Sequence, residues 1–418
     1  MSPSAAFTLQ EGAAHLAALI GAEHTSVRGE TVVAAPANAQ EIAAVLRFAT
    51  VNRLTVMPSG GGTKLGWGNP VAPEIELSMK RMCAVREHAW QDMTCTVQAG
   101  CAWTVMQDRL KQHGQMVALD PLWPDRATVG GIVACNDSGA LRLKYGSLRD
   151  LIIGMTVVLA DGTIARSGGK VVKNVAGYDL HKLMTGSFGT LGVITEVNFR
   201  LHPVEQRAWT WSALAPNGPG DAHLFAEPLR ALMDSQMVPS SVQLRISKNE
   251  FALDVRIAGP AECMDEYGTR LRNILGSLPM VGRAPSVWHA RQRMFDNPKA
   301  VVLKMSVLPA EMCAIICAEL QQFALGDGPE MRILAQGTGL IMVAFEATRE
   351  PALALIEKLR ARVSPSGGSV VVLQIPDELR NRMDVWGPDR GNLRLMHEIK
   401  RRFDPGRVLN PGRFIGNI

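Results

Sequence analysis

Residues 59–68, S-G-G-G-T-K-L-G-W-G, form a glycine-rich segment suited to holding a charged ligand. Glycine accepts the positive φ angles that curl consecutive backbone N–H groups into an anion-binding nest, where a diphosphate would fit. The segment contains neither GxGxxG nor GxxxxGK[ST], so the Rossmann and P-loop fingerprints are absent. Considered alone, this segment is equally well explained as a flexible turn. Its candidate cofactor-binding residues are Pro58, Ser59, Gly60, Gly61, Gly62, Thr63, Lys64 and Leu65.

Two further segments carry the same kind of residues. Residues 125–131 (D-R-A-T-V-G-G) precede small polar residues, and residues 186–195 (G-S-F-G-T-L-G-V-I-T) end in a β-rich run. The backbone of that run could pair with the edge of an aromatic heterocycle, so the three segments together indicate a long dinucleotide. The candidate residues here are Asp125, Thr128, Val129, Gly130, Gly131, Asn136, Ser138, Gly139, Gly192, Val193 and Ile194.

The elements that must position these segments mix helices and strands. Asn38, three residues before Glu41, predicts the start of an amphipathic helix, and a strand over 54–57 leads into the first glycine segment. Asp161-Gly162 predicts a tight hairpin turn. Strand-like and helix-like runs alternate after a Pro- and Gly-rich stretch at 203–219, which predicts a linker. We therefore expect an α+β protein.

The length of 418 residues predicts more than one folding unit. We place one domain at 1–205, in two parts that divide near residue 80, a cap domain at 206–375, and a final segment at 376–418. Hydrophobic residues make up 47% and charged residues 20%, and the net charge is +5 without a Lys/Arg run, which disfavours disorder and nucleic-acid binding.

Seven cysteines without a CxxC pair indicate reduced thiols in a cytoplasmic protein. No stretch has the roughly 18–20 apolar residues of a membrane span. We therefore expect any contact with the membrane to be indirect.

A set of motifs resembles the PCMH-type FAD-binding domain shared by vanillyl-alcohol oxidase, D-lactate dehydrogenase and glycolate oxidase subunits. The resemblance covers roughly residues 25–205 and the C-terminal tail, and it is strongest to the E-type subunit of the three-subunit bacterial glycolate oxidase. The matching motifs are DPL at 120–122, TVGG at 128–131, KYGSLRD at 144–150, KNVAGYD at 173–179 and the segment 186–195.

This resemblance implies how an FAD would bind. The diphosphate would lie on residues 59–65 and 128–131, Ile194 would meet adenine through its backbone, and Asn410 would approach the flavin from the tail. Relatives that attach flavin covalently commonly have a histidine in or just after the first glycine segment, and residues 59–67 contain none. We therefore expect non-covalent FAD.

The catalytic end of the site is less well defined. Zinc-dependent relatives carry GHxGDGN in the cap, whereas residues 334–340 here read L-A-Q-G-T-G-L, so we expect no metal. Arg291 and Lys304 are candidates to hold a substrate carboxylate, and His289 is a candidate base for the hydroxyl proton. A solvated arginine or lysine and a structural histidine are the competing interpretations.

The resemblance implies oxidation of glycolate or a similar 2-hydroxy acid. This chain has no iron–sulfur ligands, so electrons would pass to an iron–sulfur subunit, with a sister FAD-binding catalytic subunit completing a complex at the inner face of the cytoplasmic membrane. Two alternatives remain open. The chain is either a free-standing FAD-dependent hydroxy-acid or alcohol oxidoreductase, or a non-catalytic flavin relay or assembly subunit.

Overall fold

The computed structural model describes residues 8–169, 178–215, 222–325, 330–380, 383–389 and 391–418. The strands among these residues, in chain order, are β1 (Thr25–Arg28), β2 (Thr31–Ala34), β3 (Val56–Ser59), β4 (Ile75–Ser78), β5 (Val85–Ala89), β6 (Thr94–Gln98), β7 (Gln115–Met116), β8 (Ile152–Val158), β9 (Ile164–Gly168), β10 (Val193–Arg200), β11 (His202–Pro203), β12 (Ala208–Leu214), β13 (Ser241–Ser247), β14 (Glu250–Ala258), β15 (Met280–Arg283), β16 (Val301–Ser306), β17 (Arg332–Gln336), β18 (Leu340–Phe345) and β19 (Ser369–Gln374).

The α-helices are α1 (Leu9–Ile20), α2 (Ala39–Asn52), α3 (Trp103–Lys111), α4 (Val129–Cys135), α5 (Arg142–Tyr145), α6 (Leu148–Leu151), α7 (Leu180–Met184), α8 (Ala226–Asp234), α9 (Met264–Leu275), α10 (Ala290–Arg293), α11 (Met312–Ile315), α12 (Gln321–Leu325), α13 (Arg349–Val363), α14 (Asp377–Arg380) and α15 (Leu393–Phe403). None of the helices in the described ranges is long and apolar enough to cross a membrane.

The described residues divide into two units. The first falls within Met1–Ser138, Ser147–Val204 and Pro388–Ile418, and the second within Gly139–Gly146 and Glu205–Gly387. The chain thus leaves the first unit after Val204 and returns to it at Pro388, twelve residues after the start that the sequence suggests for the final segment.

The first unit contains two larger sheets, with the first ending at Ser78 and the second beginning at Val85. The four-stranded sheet has the order β1-β2-β4-β3, and the five-stranded sheet, which is antiparallel, has the order β5-β6-β10-β8-β9. Apolar side chains from α1, α2, α3 and α4 join those of both sheets in one buried core. The first glycine segment therefore starts where β3 ends, and the third leads into β10.

Local side-chain chemistry sets the ends of these elements. The Oδ1 atom of Asn38 accepts a hydrogen bond from the Glu41 N–H at 2.8 Å and begins α2, as the sequence predicts. The hairpin between β8 and β9 is also confirmed. Gly162 adopts φ +83°, and Asp161 Oδ1 accepts from the Thr163 N–H at 2.8 Å.

The second unit is built on an eight-stranded antiparallel sheet of order β15-β12-β14-β13-β17-β18-β16-β19. Alternate residues of its strands, such as Leu303 on β16 and Leu244 on β13, join α8, α9, α11 and α13 in an apolar core. The residues between them point to the opposite face of the sheet. We call this the polar face, because it carries Gln243, Arg245 and Asp254.

One sequence interpretation changes here. The linker predicted over 203–219 is wrong for Ala208–Leu214, which pairs with β14 and β15, because the Pro and Gly residues that flank this segment hide a strand. Residues 334–340 span the end of β17, a turn and the start of β18, which are hydrogen-bonded as a hairpin.

Candidate functional site

A cavity of about 730 Å³, including its opening to solvent, lies within the first unit. The three glycine-rich segments and the C-terminal tail converge on it. The lining residues are Pro58, Ser59, Gly60, Gly61, Gly62, Thr63, Lys64, Leu65, Met79, Ala99, Thr128, Gly130, Gly131, Ala134, Cys135, Phe188, Gly189, Gly192, Val193, Ile194, Asn410 and Arg413.

The first two segments are in direct backbone contact. A Cβ atom on Gly61 would lie 1.7 Å from the Arg126 carbonyl oxygen, and one on Gly60 would lie 2.1 Å from Thr128 Oγ1. A Cβ atom on Gly130 would similarly lie 2.7 Å from the Ala99 Cβ. These glycines therefore allow the backbone to pack closely against its neighbours around the cavity.

The Lys64 side chain joins the first segment to residues that lie just before and just after the second one. Its Nζ lies 3.1 Å from Asp137 Oδ2 and 3.3 Å from the Leu122 carbonyl oxygen, and the side chains of Lys64 and Asp137 are 4% and 0% exposed. The ammonium group also lies 5.7 Å and 5.4 Å from the ring centroids of Trp67 and Trp123. The Leu122 N–H donates to the same Asp137 oxygen at 2.9 Å. The lysine charge is thus held by a buried ion pair at the edge of the cavity.

A second buried ion pair attaches the tail to the third segment. Lys400 Nζ donates to Asp404 Oδ2 at 2.6 Å, to the Thr190 carbonyl oxygen at 2.7 Å and to the Leu409 carbonyl oxygen at 2.8 Å. Asp404, which is fully buried, also accepts from the backbone N–H groups of Val408 and Leu409. Both members of the ion pair therefore hold the backbone just before Asn410, which enters the cavity.

Asn410 and Arg413 bring polar groups to the cavity from the tail. Asn410 donates from Nδ2 to the Phe188 carbonyl oxygen at 2.8 Å, and its buried Oδ1 atom has no hydrogen-bond partner among the described residues. Arg413 donates from a terminal nitrogen to the carbonyl oxygens of Lys64 and Leu65 at 3.2 Å and 3.0 Å. Burial lowers the pKa of this guanidinium, whose usual value is high enough that it remains charged.

These features fit an anionic dinucleotide. Glycines on three segments leave room for a diphosphate to approach the backbone, and the Arg413 cation adds a favourable potential. The open Oδ1 acceptor of Asn410 is matched to a ligand that donates a hydrogen bond.

The cavity contains fifteen of the twenty candidate cofactor residues from the sequence. The other five do not line it. Asp125 is exposed on the turn before α4, Val129 packs into the core, Asn136 ends α4 in a left-handed conformation, Ser138 is buried beside Asp137, and Gly139 belongs to the second unit.

Several lining residues escaped the sequence interpretation. Met79, Ala99, Ala134 and Cys135 come from apolar runs whose pattern indicates core packing, and no local signal separates them from it. Phe188 and Gly189 lie inside the third segment and could have been chosen, since Gly189 adopts φ +69° beside Asn410. Arg413 shares the tail motif with Asn410.

Of the motif KNVAGYD at 173–179, which contributes to the family resemblance, residues 173–177 lie outside the described residues.

The three candidate catalytic residues all lie in the second unit. His289 is exposed at the end of a short 3₁₀ turn, Pro285–His289, and Arg291 in α10 is 9% exposed. Lys304 lies on the polar face of β16, directly paired with Met342 and Val371. The turn that carries His289 packs on the same polar face, because Trp288 Nε1 donates to Thr210 Oγ1 at 2.9 Å.

A buried charged cluster, which the sequence did not predict, occupies the polar face. Asp254, fully buried, accepts hydrogen bonds from Ser212, from Gln243 Nε2 at 2.8 Å and from Arg245 Nε at 2.5 Å. Burial lowers the pKa of Arg245, but its bonds to Asp254 and Glu250 outweigh this and raise the pKa overall. The described residues contain no group of three or more His, Cys, Asp or Glu side chains placed to hold a metal ion.

Comparison with known proteins agrees with a cofactor-binding role for this cavity. Residues 31–168 match the family described as FAD binding domain (FAD_binding_4). The chain is 36% identical over 212 residues to glycolate oxidase subunit GlcD of Bacillus subtilis (strain 168), a match that covers 50% of this chain and 44% of that protein. It is 34% identical over 187 residues to the mitochondrial D-lactate dehydrogenase (cytochrome) of Arabidopsis thaliana, covering 44% and 32%. The matched stretch is therefore less than half of each relative.

The likeness in fold extends over almost the whole chain. The structure of 4-ethylphenol oxidase from Gulosibacter chungangensis superposes with a TM-score of 0.74 at 16% identity, covering 99% of this chain and 98% of that one. At such low identity, the superposition shows a common fold and leaves the reaction open.

Proposed function

We propose that the chain, an FAD-binding protein similar to flavoproteins of the vanillyl-alcohol oxidase/PCMH superfamily, oxidises a small 2-hydroxy acid to the 2-oxo acid. In the finer proposal it is the FAD-binding subunit of a glycolate oxidase-type complex that passes electrons to an iron–sulfur subunit. The α+β fold with a PCMH-type FAD-binding domain is confirmed.

The observation that carries this proposal is the convergence of three glycine-rich segments and the tail on one cavity. The two relatives named above, a glycolate oxidase subunit and a D-lactate dehydrogenase by their names, each match about half of this chain, 50% and 44% of it. Both names describe proteins that act on 2-hydroxy acids, which supports the substrate class for this chain.

The residues of the cavity have separate tasks in this proposal. The backbone of residues 59–65 and of Thr128 and Gly131 binds the diphosphate, and Asn410 orients the flavin through its open acceptor. Arg413 holds a positive charge at the cavity, which favours any negative charge that develops there. The chemistry that FAD supplies when bound is the acceptance of two electrons as a hydride from the carbinol carbon.

Two further requirements of the reaction have candidate residues from the sequence. A carboxylate on the substrate needs a cation, for which we propose Lys304 or Arg291. The hydroxyl proton needs a base, for which we propose His289, whose exposed position in this structure leaves it accessible.

The first test uses the purified holoprotein under anaerobic conditions, with glycolate, D-lactate and D-2-hydroxyglutarate added in turn while the visible flavin absorbance is recorded. Bleaching by one of them and formation of the matching 2-oxo acid is the expected result. Acid precipitation of a second sample should release the flavin into the supernatant, since we propose non-covalent binding.

The same absorbance measurement distinguishes a chain that oxidises the acid alone from one that needs its partner subunits. If the isolated chain is not bleached but its complex with co-expressed partner subunits is, the complex-dependent form of the proposal holds. If neither preparation reduces flavin with any 2-hydroxy acid, the substrate class is refuted. Lys304→Met should raise KM for the acid with a smaller effect on kcat, and His289→Gln should lower kcat.

A further inference from the structure

The positive charge of this chain is concentrated near its C-terminal end. Residues 394–413 contain six Lys or Arg and two Asp or Glu, a net charge of +4 compared with +5 for the whole chain. Two of the cations are buried. Lys400 is paired with Asp404, and Arg413 lines the cofactor cavity. The other four, Arg394, Arg401, Arg402 and Arg407, are exposed, and we call them the arginine face.

The helix α15 directs three of these charges, Arg394, Arg401 and Arg402, away from the protein. Its apolar side turns inward, since Ile399 and Phe403 pack against the core of the first unit. Arg394 and Arg401 are seven residues apart and so lie on the same outer side, two turns from each other. Within the described residues, neither Arg401 nor Arg402 has a hydrogen-bond or ion-pair partner. Arg394 lies 3.8 Å from Glu398 in an exposed pair of low strength.

This face lies close to the cofactor cavity. Lys400, the immediate neighbour of Arg401, donates to the Thr190 carbonyl oxygen, which lies next to the cavity residue Gly189. An α-helix with side chains is about 10–12 Å across, so roughly one helix diameter separates the arginine face from the segment that lines the cavity. A protein docked on the face would therefore lie near the flavin.

We propose that the arginine face is the docking surface for an acidic protein that accepts electrons from the flavin. This inference rests on the proposed oxidoreductase function, because the electrons that a substrate gives to the flavin must leave to another carrier. Electron-transfer partners meet through small interfaces, and opposite charge raises their encounter rate by factors of 10 to 10³.

An anionic lipid surface is the other chemistry that a basic helix fits. The structure favours a protein, because the apolar side of α15 is already used in the core and is not available to enter a bilayer. Leu395 is the exposed large apolar residue on the helix, with 61% of its surface accessible. A single side chain of this kind gives little membrane affinity.

The test measures the rate at which photochemically reduced holoprotein passes electrons to two probe proteins. Cytochrome b5 serves as an acidic acceptor and cytochrome c as a basic one, each followed by its haem absorbance at several ionic strengths. The variant R401E/R402E reverses two charges of the face. The control R230E/R270E reverses two exposed arginines of the second unit that already have acidic neighbours on α8 and α9.

At low ionic strength, we expect R401E/R402E to reduce cytochrome b5 about tenfold more slowly than the wild type or the control, with the difference lost in high salt. Cytochrome c should show the opposite order. Equal rates for all three proteins, or equal effects of both variants, would overturn the proposal. Binding to phosphatidylserine vesicles that R401E/R402E abolishes, with no change toward cytochrome b5, would also overturn it, in favour of a lipid surface.

Photoreduction separates this test from the proposed reaction. The flavin is reduced without a 2-hydroxy acid, so the docking result stands even if no such acid is oxidised. Conversely, loss of docking leaves substrate-dependent bleaching unchanged. Circular dichroism and the flavin content of both variants check that neither substitution affects the fold or the cofactor.

Discussion

Replacing Lys64 with methionine would leave a buried carboxylate without its cation. Asp137 is fully buried, and in the variant it would keep the hydrogen bond from the Leu122 N–H but lose the lysine cation. Removing one partner of a buried ion pair costs roughly 3–5 kcal/mol in the free energy of unfolding. A unit of 150–250 residues loses about 2–4 °C in Tm per kcal/mol, so the first unit should melt roughly 6–20 °C earlier.

The exposed pair Arg230–Glu227, on α8 of the second unit, gives a matched control. Its side chains are 67% and 72% exposed, and such pairs contribute about 0–1 kcal/mol. Thermal unfolding of the apoprotein should therefore show a large shift for Lys64→Met and almost none for Glu227→Gln. The double variant Lys64→Met/Asp137→Leu should recover most of the loss, because no buried charge remains.

The same variants report on the cofactor cavity. Because Lys64 fixes the first glycine segment against Asp137 and Leu122, which flank the second, its loss should weaken FAD binding, measured by quenching of flavin fluorescence during titration of the apoprotein. An unfolding free energy for Lys64→Met within about 1 kcal/mol of the wild type would show that the pair is not buried as described. Unchanged FAD affinity would show that the two segments hold their positions without it.

Three further results are expected. Gly61→Ala should weaken FAD binding at least tenfold, because its Cβ would meet the Arg126 carbonyl at 1.7 Å, while Gly282→Ala, with nothing within 4 Å, should leave titration curves unchanged. Lys400→Met should release the tail, so limited proteolysis should cut there sooner and flavin should dissociate faster. Burial lowers the pKa of His181 in the folded protein. As the pH falls below about 6.5, the unfolded state therefore takes up a proton before the folded state does. The free energy of unfolding then declines until the pH reaches the lowered pKa of the folded protein. His181→Gln should flatten this decline in denaturant titrations, and an unchanged slope would contradict the assignment.

The sequence predicts best where a residue type and its conformation are linked locally. Asn38 before α2 and Asp161-Gly162 in the β8–β9 turn act within a few residues, so the pattern locates them. The glycine segments belong to the same class. By contrast, Lys64 and Asp137 are 73 residues apart, and Lys400 reaches Thr190 over 210 residues. No local signal distinguishes these lysines from solvated ones, because their burial arises from tertiary packing.

The difference between local sequence patterns and tertiary packing also explains the role of the glycines. From the sequence, Gly61 and Gly130 would be glycine because a diphosphate approaches their backbone. In the structure, the nearest atoms to an added Cβ belong to Arg126 and Ala99, so protein contacts alone already require glycine there. The segments are therefore held together by packing and by the Lys64–Asp137 pair, and the cavity keeps its shape by contacts that do not involve a ligand. A cavity held by such contacts binds a cofactor with little cost of ordering loops, which favours tight binding.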